Sequence, residues 1–387
     1  MRTFKYLLLF FLIYFNSLAF SNEKDKIQIA LDYQVQFQAE FNHDIMAIKY
    51  FLEDYINADT FEKRKQYFQH YDDDLITYQY DSIPSALEKF YPTYKPTIIA
   101  FEDLQNGEHL IKVLITGGKD KFHSILSSHD LILKDDYYDC FKIINTAENK
   151  LRYKNCIASN NLTIYTEKES VSGLDLQTYK DFELGLAHFF DLDLIEHNVA
   201  IFKSTKALYR FLGYDYHDAM YLNNSYGGMF IPWDNLILSA NNSVFYPHEI
   251  VHLYVNELNL DTHDIVNEGV ATFLGGSLGN DYSYHVQNLK SYVNLKNINL
   301  TEFFMNTENY NTLVSKNSSF QYSFGAFLSH LAYQNNGKED LINLLNSGKS
   351  NAELKTRLIR LFNVEEASLE DYLQEQLRDF KRINEII

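Results

Sequence analysis

Apolar residues recur at helical spacing in two neighbouring segments of the second half of the chain. The first segment, residues 247–258, begins with Pro247, and proline is favoured at the first position of an α-helix. The second segment, residues 264–276, carries apolar side chains at 265, 266, 270, 273 and 274. Such repetition predicts two helices that are largely buried. We therefore expect the polar residues within them to be buried as well.

The first half of the first predicted helix carries three polar residues, His248, Glu249 and His252. Residues four apart lie on one helix face, so both imidazoles can reach one ion. With 13 His and 52 acidic residues in 387, a His-acid-x-x-His pattern arises by chance only about 0.06 times per chain. Imidazole suits zinc, and a carboxylate beside a zinc-bound water can act as its general base. A metal-free hydrogen-bonded cluster is the alternative interpretation.

The second predicted helix supplies a third metal ligand, Glu268. It is the only charged residue between Asp264 and Asp281, and a lone buried carboxylate requires a cation or strong donors. Two histidines and one glutamate leave the fourth zinc position open, as catalytic sites do. The alternative is a carboxylate that caps a neighbouring helix or pairs with an arginine.

Two short motifs resemble those of the gluzincin metallopeptidases: His248-Glu249-x-x-His252 and Asn267-Glu268-Gly269-x-Ala271. The second motif is closer to the aminopeptidase N side of that group, and over about residues 165–385 the chain looks most like the peptidase MA-like proteins. The resemblance implies that His248, His252 and Glu268 bind Zn²⁺ and that Glu249 is the base. It also implies a mainly helical catalytic domain with a small sheet, which acts on a peptide or protein substrate.

The sequence departs from aminopeptidase N in two places. Only 15 residues, 253–267, separate the second histidine from Glu268, which is fewer than in that family. The Gly-x-Met-Glu-Asn strand that binds a free amino terminus there is absent, because residues 227–231 read Gly-Gly-Met-Phe-Ile. The sequence therefore leaves endopeptidase and exopeptidase action open.

A hairpin is predicted just before the metal motif. Residues 226–231 and 236–240 flank the turn-forming run Pro232-Trp233-Asp234-Asn235. In gluzincins the strand before the zinc helix forms the sheet edge over the cleft, and an extended peptide can add to such an edge. An ordinary hairpin packed under the helix is the alternative.

A donor to the oxyanion of the transition state is expected from a later helix. Residues 317–337 contain no charged side chain and are rich in aromatic residues, which predicts a buried helix. The resemblance to peptidase MA-like proteins makes Tyr322 the first choice for the donor, with His330 and Tyr310 as alternatives. A core tyrosine with a satisfied hydroxyl is the alternative interpretation.

The N-terminus predicts export. A basic start, Met1 to Lys5, precedes an apolar run over residues 6–15, and Ala19-Phe20-Ser21 fits a signal peptidase site. We expect a signal peptide over residues 1–21 and a secreted or periplasmic protein, with a retained anchor as the alternative. No later stretch approaches the about 20 apolar residues of a membrane-spanning helix.

The two cysteines, Cys140 and Cys156, lie in segments predicted as strands around a turn at residues 145–149. In a symmetric hairpin they would face each other. We therefore expect a disulfide in an oxidising compartment. A cysteine zinc site is less favoured because no second pair exists, and two free buried thiols are the remaining alternative.

The order of predicted elements indicates an α+β protein of two domains. Residues 22–165 carry helices followed by an antiparallel sheet, which resembles nuclear-transport-factor-like or cystatin-like folds by element order alone. Residues 166–387 are mainly helical with few strands. The formal charge of −18 argues against nucleic acid or an anionic membrane surface as a partner.

These observations predict zinc-dependent hydrolysis of peptide bonds with Glu249 as general base. Two other interpretations stay open. One is a zinc-binding but catalytically silent interaction protein, and the other is a metal-free structural protein in which the motif is coincidental.

Overall fold

The protein has an α+β fold of two compact units, as its sequence predicted. The first unit comprises the described residues of 1–70 and 79–145, and the second those of 71–78 and 146–387. The predicted signal peptide, residues 1–21, lies outside the described residues. A computed structural model describes residues 26–69, 78–105, 107–118, 124–136, 140–144, 155–159, 161–167, 170–217, 220 and 227–383.

The first unit packs helices against a sheet of long strands. Its helices are α1 (Tyr33–Ala39), α2 (His43–Ile56), α3 (Phe61–Lys65) and α4 (Tyr78–Phe90), and its strands are β1 (Ala30–Leu31), β2 (Tyr94–Gln105), β3 (Glu108–Gly117), β4 (Ser124–Asp136) and β5 (Cys140–Ile144). The strands lie in sequential order, antiparallel except for β1 beside β2. Alternate residues of β3 are buried, so one face of the sheet forms the core with the helices.

The second unit combines a smaller mixed sheet with a larger set of helices. The strands of this sheet are β6 (Asn155–Ser159), β7 (Leu162–Thr166), β8 (His197–Ile201), β10 (Gly228–Ile231) and β11 (Leu236–Ser239). Strands β12 (Leu313–Ser315) and β13 (Ser318–Ser319) pair with each other, and β9 (Tyr214–His217) belongs to neither of these two sheets. The helices of this unit are α5 (Gly173–Phe190), α6 (Thr205–Phe211), α7 (Pro247–Glu257), α8 (Asp264–Gly275), α9 (Tyr282–Lys296), α10 (Leu300–Met305), α11 (Phe320–Leu345), α12 (Asn351–Leu361) and α13 (Leu369–Arg378). Among the described residues, none of the helices has the length and apolar character to cross a membrane.

The sheet of the second unit places the predicted hairpin at its edge. The strand order is β10-β11-β8-β7-β6. Strand β10 pairs antiparallel with β11, whereas β11 and β7 both run parallel to β8. All four residues of β11 are buried, as expected for an interior strand. Strand β10 is therefore the edge strand on that side of the sheet.

The predicted domain boundary at residue 165 was wrong. Strands β6 and β7 form a hairpin that joins β8 in parallel, so they belong to the second unit. Leu162 and Ile164 of β7 are buried in the same core as the helices of that unit. After the first sheet, the described residues of the second unit therefore resume at residue 155.

The predicted cysteine hairpin was also wrong. Cys140 lies in β5, which pairs with β4 of the first sheet. Cys156 lies in β6, which pairs with β7 of the second sheet. The two cysteines are therefore not cross-strand partners, and Cys156 carries a free, exposed thiol instead of the expected disulfide.

Candidate metal centre

Helix α7 carries the His-Glu-x-x-His motif through the interior of the second unit. It begins at Pro247, as predicted. Every residue from His248 to Val255 is buried, because apolar side chains on several faces of the helix pack into the main core. The polar motif is therefore held on a rigid helix.

Close backbone contacts fix helix α8 against its neighbours. A Cβ atom on Gly275 would lie 2.7 Å from the carbonyl oxygen of Pro247, at the start of α7. A Cβ on Gly269 would lie 2.2 Å from the carbonyl carbon of Gly325 in α11. Only glycine permits such an approach. These contacts bring the end of α8 to the start of α7, and the middle of α8 to the first part of α11.

Three donor atoms from α7 and α8 converge on one point. The Nε2 atoms of His248 and His252 are 3.2 Å apart, and Oε2 of Glu268 lies 3.1 Å from the first and 3.6 Å from the second. Tetrahedral zinc with bonds of about 2.0–2.1 Å needs ligand atoms about 3.3 Å apart. The three predicted ligands thus have the spacing of three corners of a zinc tetrahedron.

The outer nitrogen of each histidine has an oxygen partner. His248 Nδ1 donates to the carbonyl oxygen of Gly276 at 2.8 Å. His252 Nδ1 lies 3.3 Å from Oδ1 of Asn267. A proton on Nδ1 leaves the Nε2 lone pair free for a metal, and such partners orient ligating histidines.

The electrostatics of the cluster favour an anionic Glu268. Burial acts to raise the pKa of this carboxyl, but the imidazoles of His252 and His248 outweigh it and hold the pKa well below its usual range. Burial likewise acts to lower the pKa of His252, and Glu268 outweighs it and raises the pKa. Without a metal, the anionic Glu268 therefore favours a protonated, positively charged His252.

Glu249 is buried beside this cluster and contacts the sheet edge. Burial raises the pKa of its carboxyl, opposed in part by the two histidines. The backbone amide of Phe230 in β10 faces that carboxyl and acts to lower its pKa, against the effect of burial. A general base needs a pKa above that of an exposed glutamate and a fixed orientation, and Glu249 has both.

Tyr322 lies at the metal centre, whereas the two alternative oxyanion donors do not. Its ring centroid is 5.7 Å from that of His248, and the Glu268 carboxylate and burial raise its pKa well above the usual value. Tyr310 instead donates to Asn351 at 2.6 Å. His330 packs among Phe273, Tyr282 and Phe380.

A cleft of about 440 Å³ opens onto the cluster. Edge strand β10 forms one wall, and residues at the end of α7 and beyond it form another. The lining residues are Gly228, Met229, Phe230, Pro232, Glu249, His252, Val255, Asn256, Asn259, Leu260, Thr262, Asn267, Glu268, Tyr322 and Lys349. The side chain of Glu268 is 27% exposed, because it faces this cleft.

Tyr246, which directly precedes helix α7 and packs against Gly228 of the edge strand, had no predicted role. A Cβ on Gly228 would lie 2.0 Å from Cε1 of Tyr246, so the ring occupies the space of a side chain there. Burial and the carboxylates of Glu249 and Glu268 raise the pKa of Tyr246 well above its usual value. The sequence showed only that a tyrosine directly precedes Pro247; its contact with Gly228 is a tertiary one.

No protein-family model matches the sequence, and no curated protein matches it either.

Proposed function

We propose that this protein is a zinc-dependent hydrolase of peptide bonds. The observation that carries the proposal is the donor triangle of His248, His252 and Glu268, whose spacing fits a zinc tetrahedron and which faces a cleft. Glu249 and Tyr322 line the same cleft. The motif resemblance to peptidase MA-like gluzincins supports the same function.

The donor set favours zinc over the common hard cations. Two imidazole nitrogens and one carboxylate oxygen suit zinc, whereas Ca²⁺ and Mg²⁺ prefer oxygen ligands only. The three ligands leave one tetrahedral position for water or substrate, which is the arrangement of catalytic zinc. A bound zinc would bring the pKa of water toward neutrality and polarise a carbonyl.

The side chains of the cleft would then have separate roles in the reaction. Glu249 accepts the proton of the attacking water and passes it to the departing amine. Tyr322, whose raised pKa keeps it protonated, donates a hydrogen bond to the oxyanion that develops on the carbonyl. The backbone amide of Phe230 faces the Glu249 carboxyl and favours its ionised form, which is the form that accepts a proton.

Strand β10 offers a binding edge for the substrate. In an antiparallel pair, alternate residues direct their amide and carbonyl groups away from the partner strand. Gly227 accepts from Ala240 in the β11 direction, so the backbone groups of Gly228 and the carbonyl of Phe230 face the open edge. An extended peptide that pairs with this edge would lie across the cleft.

The test joins metal analysis to a peptide-library cleavage assay. We expect one zinc per chain in the wild type, an equal content in Glu249→Gln with loss of turnover, and loss of both in His248→Ala. Cleavage by a zinc-loaded Glu249→Gln protein would contradict the role of Glu249. Full zinc content with no cleavage by the wild type would favour a silent zinc-binding protein, and wild type without zinc would refute the proposal.

A further inference from the structure

The loop between α8 and α9 supplies the partner of His248. Gly276 lies at its start and accepts the His248 Nδ1 proton through its carbonyl. The loop is tight, since Ser277 and Asn280 exchange backbone hydrogen bonds of 2.9 Å in both directions. Leu278 has a φ of 49°, which is strained for a leucine. A loop of this kind needs outside support to keep one conformation.

His285 of α9 provides that support from within the core. It is 0% exposed. Its Nε2 lies 3.1 Å from the carbonyl oxygen of Ser277, the residue after Gly276. Its Nδ1 lies 2.7 Å from the hydroxyl of Ser318. One imidazole thus joins the loop to β13, two residues before the start of α11.

The hydrogen bonds of His285 define its protonation. A carbonyl cannot donate, so the proton of a neutral ring stands on Nε2 and points to Ser277, while the Ser318 hydroxyl donates to Nδ1. Burial lowers the pKa of His285 to about 4, which keeps the ring neutral. The His285 ring also lies 6.5 Å, centroid to centroid, from that of Tyr322.

We propose that His285 is a positioning residue of the metal centre. Through Ser277 it fixes the peptide whose neighbouring carbonyl orients His248, and through Ser318 it fixes the chain that leads into Tyr322. The inference rests on the proposed zinc function, because it concerns how that site is held. It assigns His285 no contact with metal or substrate.

The test is His285→Leu, measured by zinc affinity and by the absorption spectrum of the Co²⁺-substituted protein. Loss of the hydrogen-bond partner of a metal ligand lowers metal affinity by about 10–100-fold. We expect an effect in the lower part of that range, because His285 contacts Ser277 and not the Gly276 carbonyl that accepts from His248. The Co²⁺ spectrum, which reports ligand geometry, should change as well. His285→Gln keeps a donor and an acceptor, and it should recover most of the affinity.

The matched control is His330→Leu. His330 is 1% exposed and its Nδ1 has no hydrogen-bond partner, and burial lowers its pKa to about 4 as well. It packs on the rings of Phe273 and Tyr282, which flank the loop, and of Phe380, but no hydrogen bond joins it to a described residue of the loop. Its replacement therefore reports the loss of a buried imidazole alone. We expect zinc affinity and the Co²⁺ spectrum to stay at wild-type values, even if the free energy of unfolding in urea changes.

Two outcomes would overturn the inference. One is a folded His285→Leu protein with wild-type zinc affinity and Co²⁺ spectrum. The other is an equal loss of affinity in His330→Leu. If His285→Leu does not fold, Ser318→Ala decides, with a smaller loss of affinity expected and no loss contradicting the proposal. A wild type that binds no zinc would instead refute the proposed function itself.

Discussion

Tyr322 presents a neutral hydroxyl to a cleft that also holds two carboxylates. We expect Tyr322→Phe to lower kcat by about 10²–10³-fold, as loss of one oxyanion donor does. KM and zinc content should change little, because the ring and the three ligands remain. Steady-state kinetics on a cleaved library peptide would measure this effect.

Tyr310→Phe is the control for that prediction. Tyr310 is also buried, but its hydroxyl donates to Asn351 and lies outside the cleft. Its removal should leave kcat unchanged even where it lowers stability. Equal losses of kcat in the two variants would argue against Tyr322 as the oxyanion donor.

Glu183 is a second buried acid, which does not line the cleft. Its carboxyl accepts from Asn161 at 2.9 Å and from the hydroxyl of Tyr254 at 3.4 Å, and His197 Nδ1 lies 3.6 Å away. His197 donates its Nδ1 proton to the carbonyl oxygen of Ile195 instead, and burial lowers the pKa of His197, so it brings no positive charge. Burial therefore raises the pKa of Glu183 to about 7.

This pKa predicts a loss of stability with rising pH. The unfolded chain releases the Glu183 proton near 4.5, whereas the folded protein keeps it to about 7. The folded state is therefore penalised progressively between these values, by about 3 kcal/mol in full. Glu183→Gln should remove the penalty. In urea unfolding, the variant should have a larger free energy of unfolding than the wild type at pH 8 but not at pH 4. A constant difference across pH would contradict the prediction.

At the scale of residues, the three side chains proposed as metal ligands could be recognised from the sequence, but the groups that support them could not. His248, His252 and Glu268 were recognisable because their spacing and their isolation within apolar helices seldom arise by chance. The Gly276 carbonyl and the His285 imidazole act through tertiary hydrogen bonds. A backbone oxygen carries no sequence signal, and a single histidine is uninformative without its neighbours.

At the scale of elements, the approach of α8 to α11 determines where Glu268 and Tyr322 meet. A Cβ on Gly325 would lie 2.1 Å from the carbonyl oxygen of Ile265 and 2.6 Å from the Cα of Gly269. Gly325→Ala must therefore separate the helices, at a cost of about 1–3 kcal/mol for overpacking. We expect lower stability in urea and weaker zinc binding, since one ligand moves with α8.

Gly173→Ala is the control for the helix contact. Gly173 begins α5, and a Cβ there would meet no atom within 4 Å. This substitution should leave zinc affinity unchanged. Wild-type zinc affinity in Gly325→Ala would mean that the metal site tolerates a change in the helix spacing.

The elements that were predicted well are those whose pattern is local. Helices α7 and α8 follow from periodic apolar residues and from Pro247, and their observed bounds agree with the predicted ones to within one residue. The strand predicted around Cys156, which corresponds to β6, was assigned to the wrong sheet, because β6 pairs with β7 and β7 pairs in parallel with β8, across helix α5. Parallel strands are connected by a long crossover and not by a tight turn, so no turn motif in the sequence indicates that they pair.

At the scale of the whole molecule, the fold separates into two units with separate cores. The α+β class followed from the order of helix-like and strand-like segments, whereas the boundary depended on the sheet to which β6 and β7 belong. The charge of −18 is a property of the entire surface. It disfavours polyanionic partners without identifying a substrate.

The division into units predicts that the metal centre does not require the first unit. All three ligands, Tyr322 and the core around α7 lie between residues 155 and 383. A fragment of residues 146–387 should therefore fold and bind one zinc with the affinity of the full chain, whereas residues 26–145 should bind none. Circular dichroism and zinc titration of both fragments measure this. A folded 146–387 fragment with much weaker zinc binding would contradict this prediction, because it would mean that the first unit helps to hold the site. That result would leave the proposed hydrolase function of the full chain unaffected.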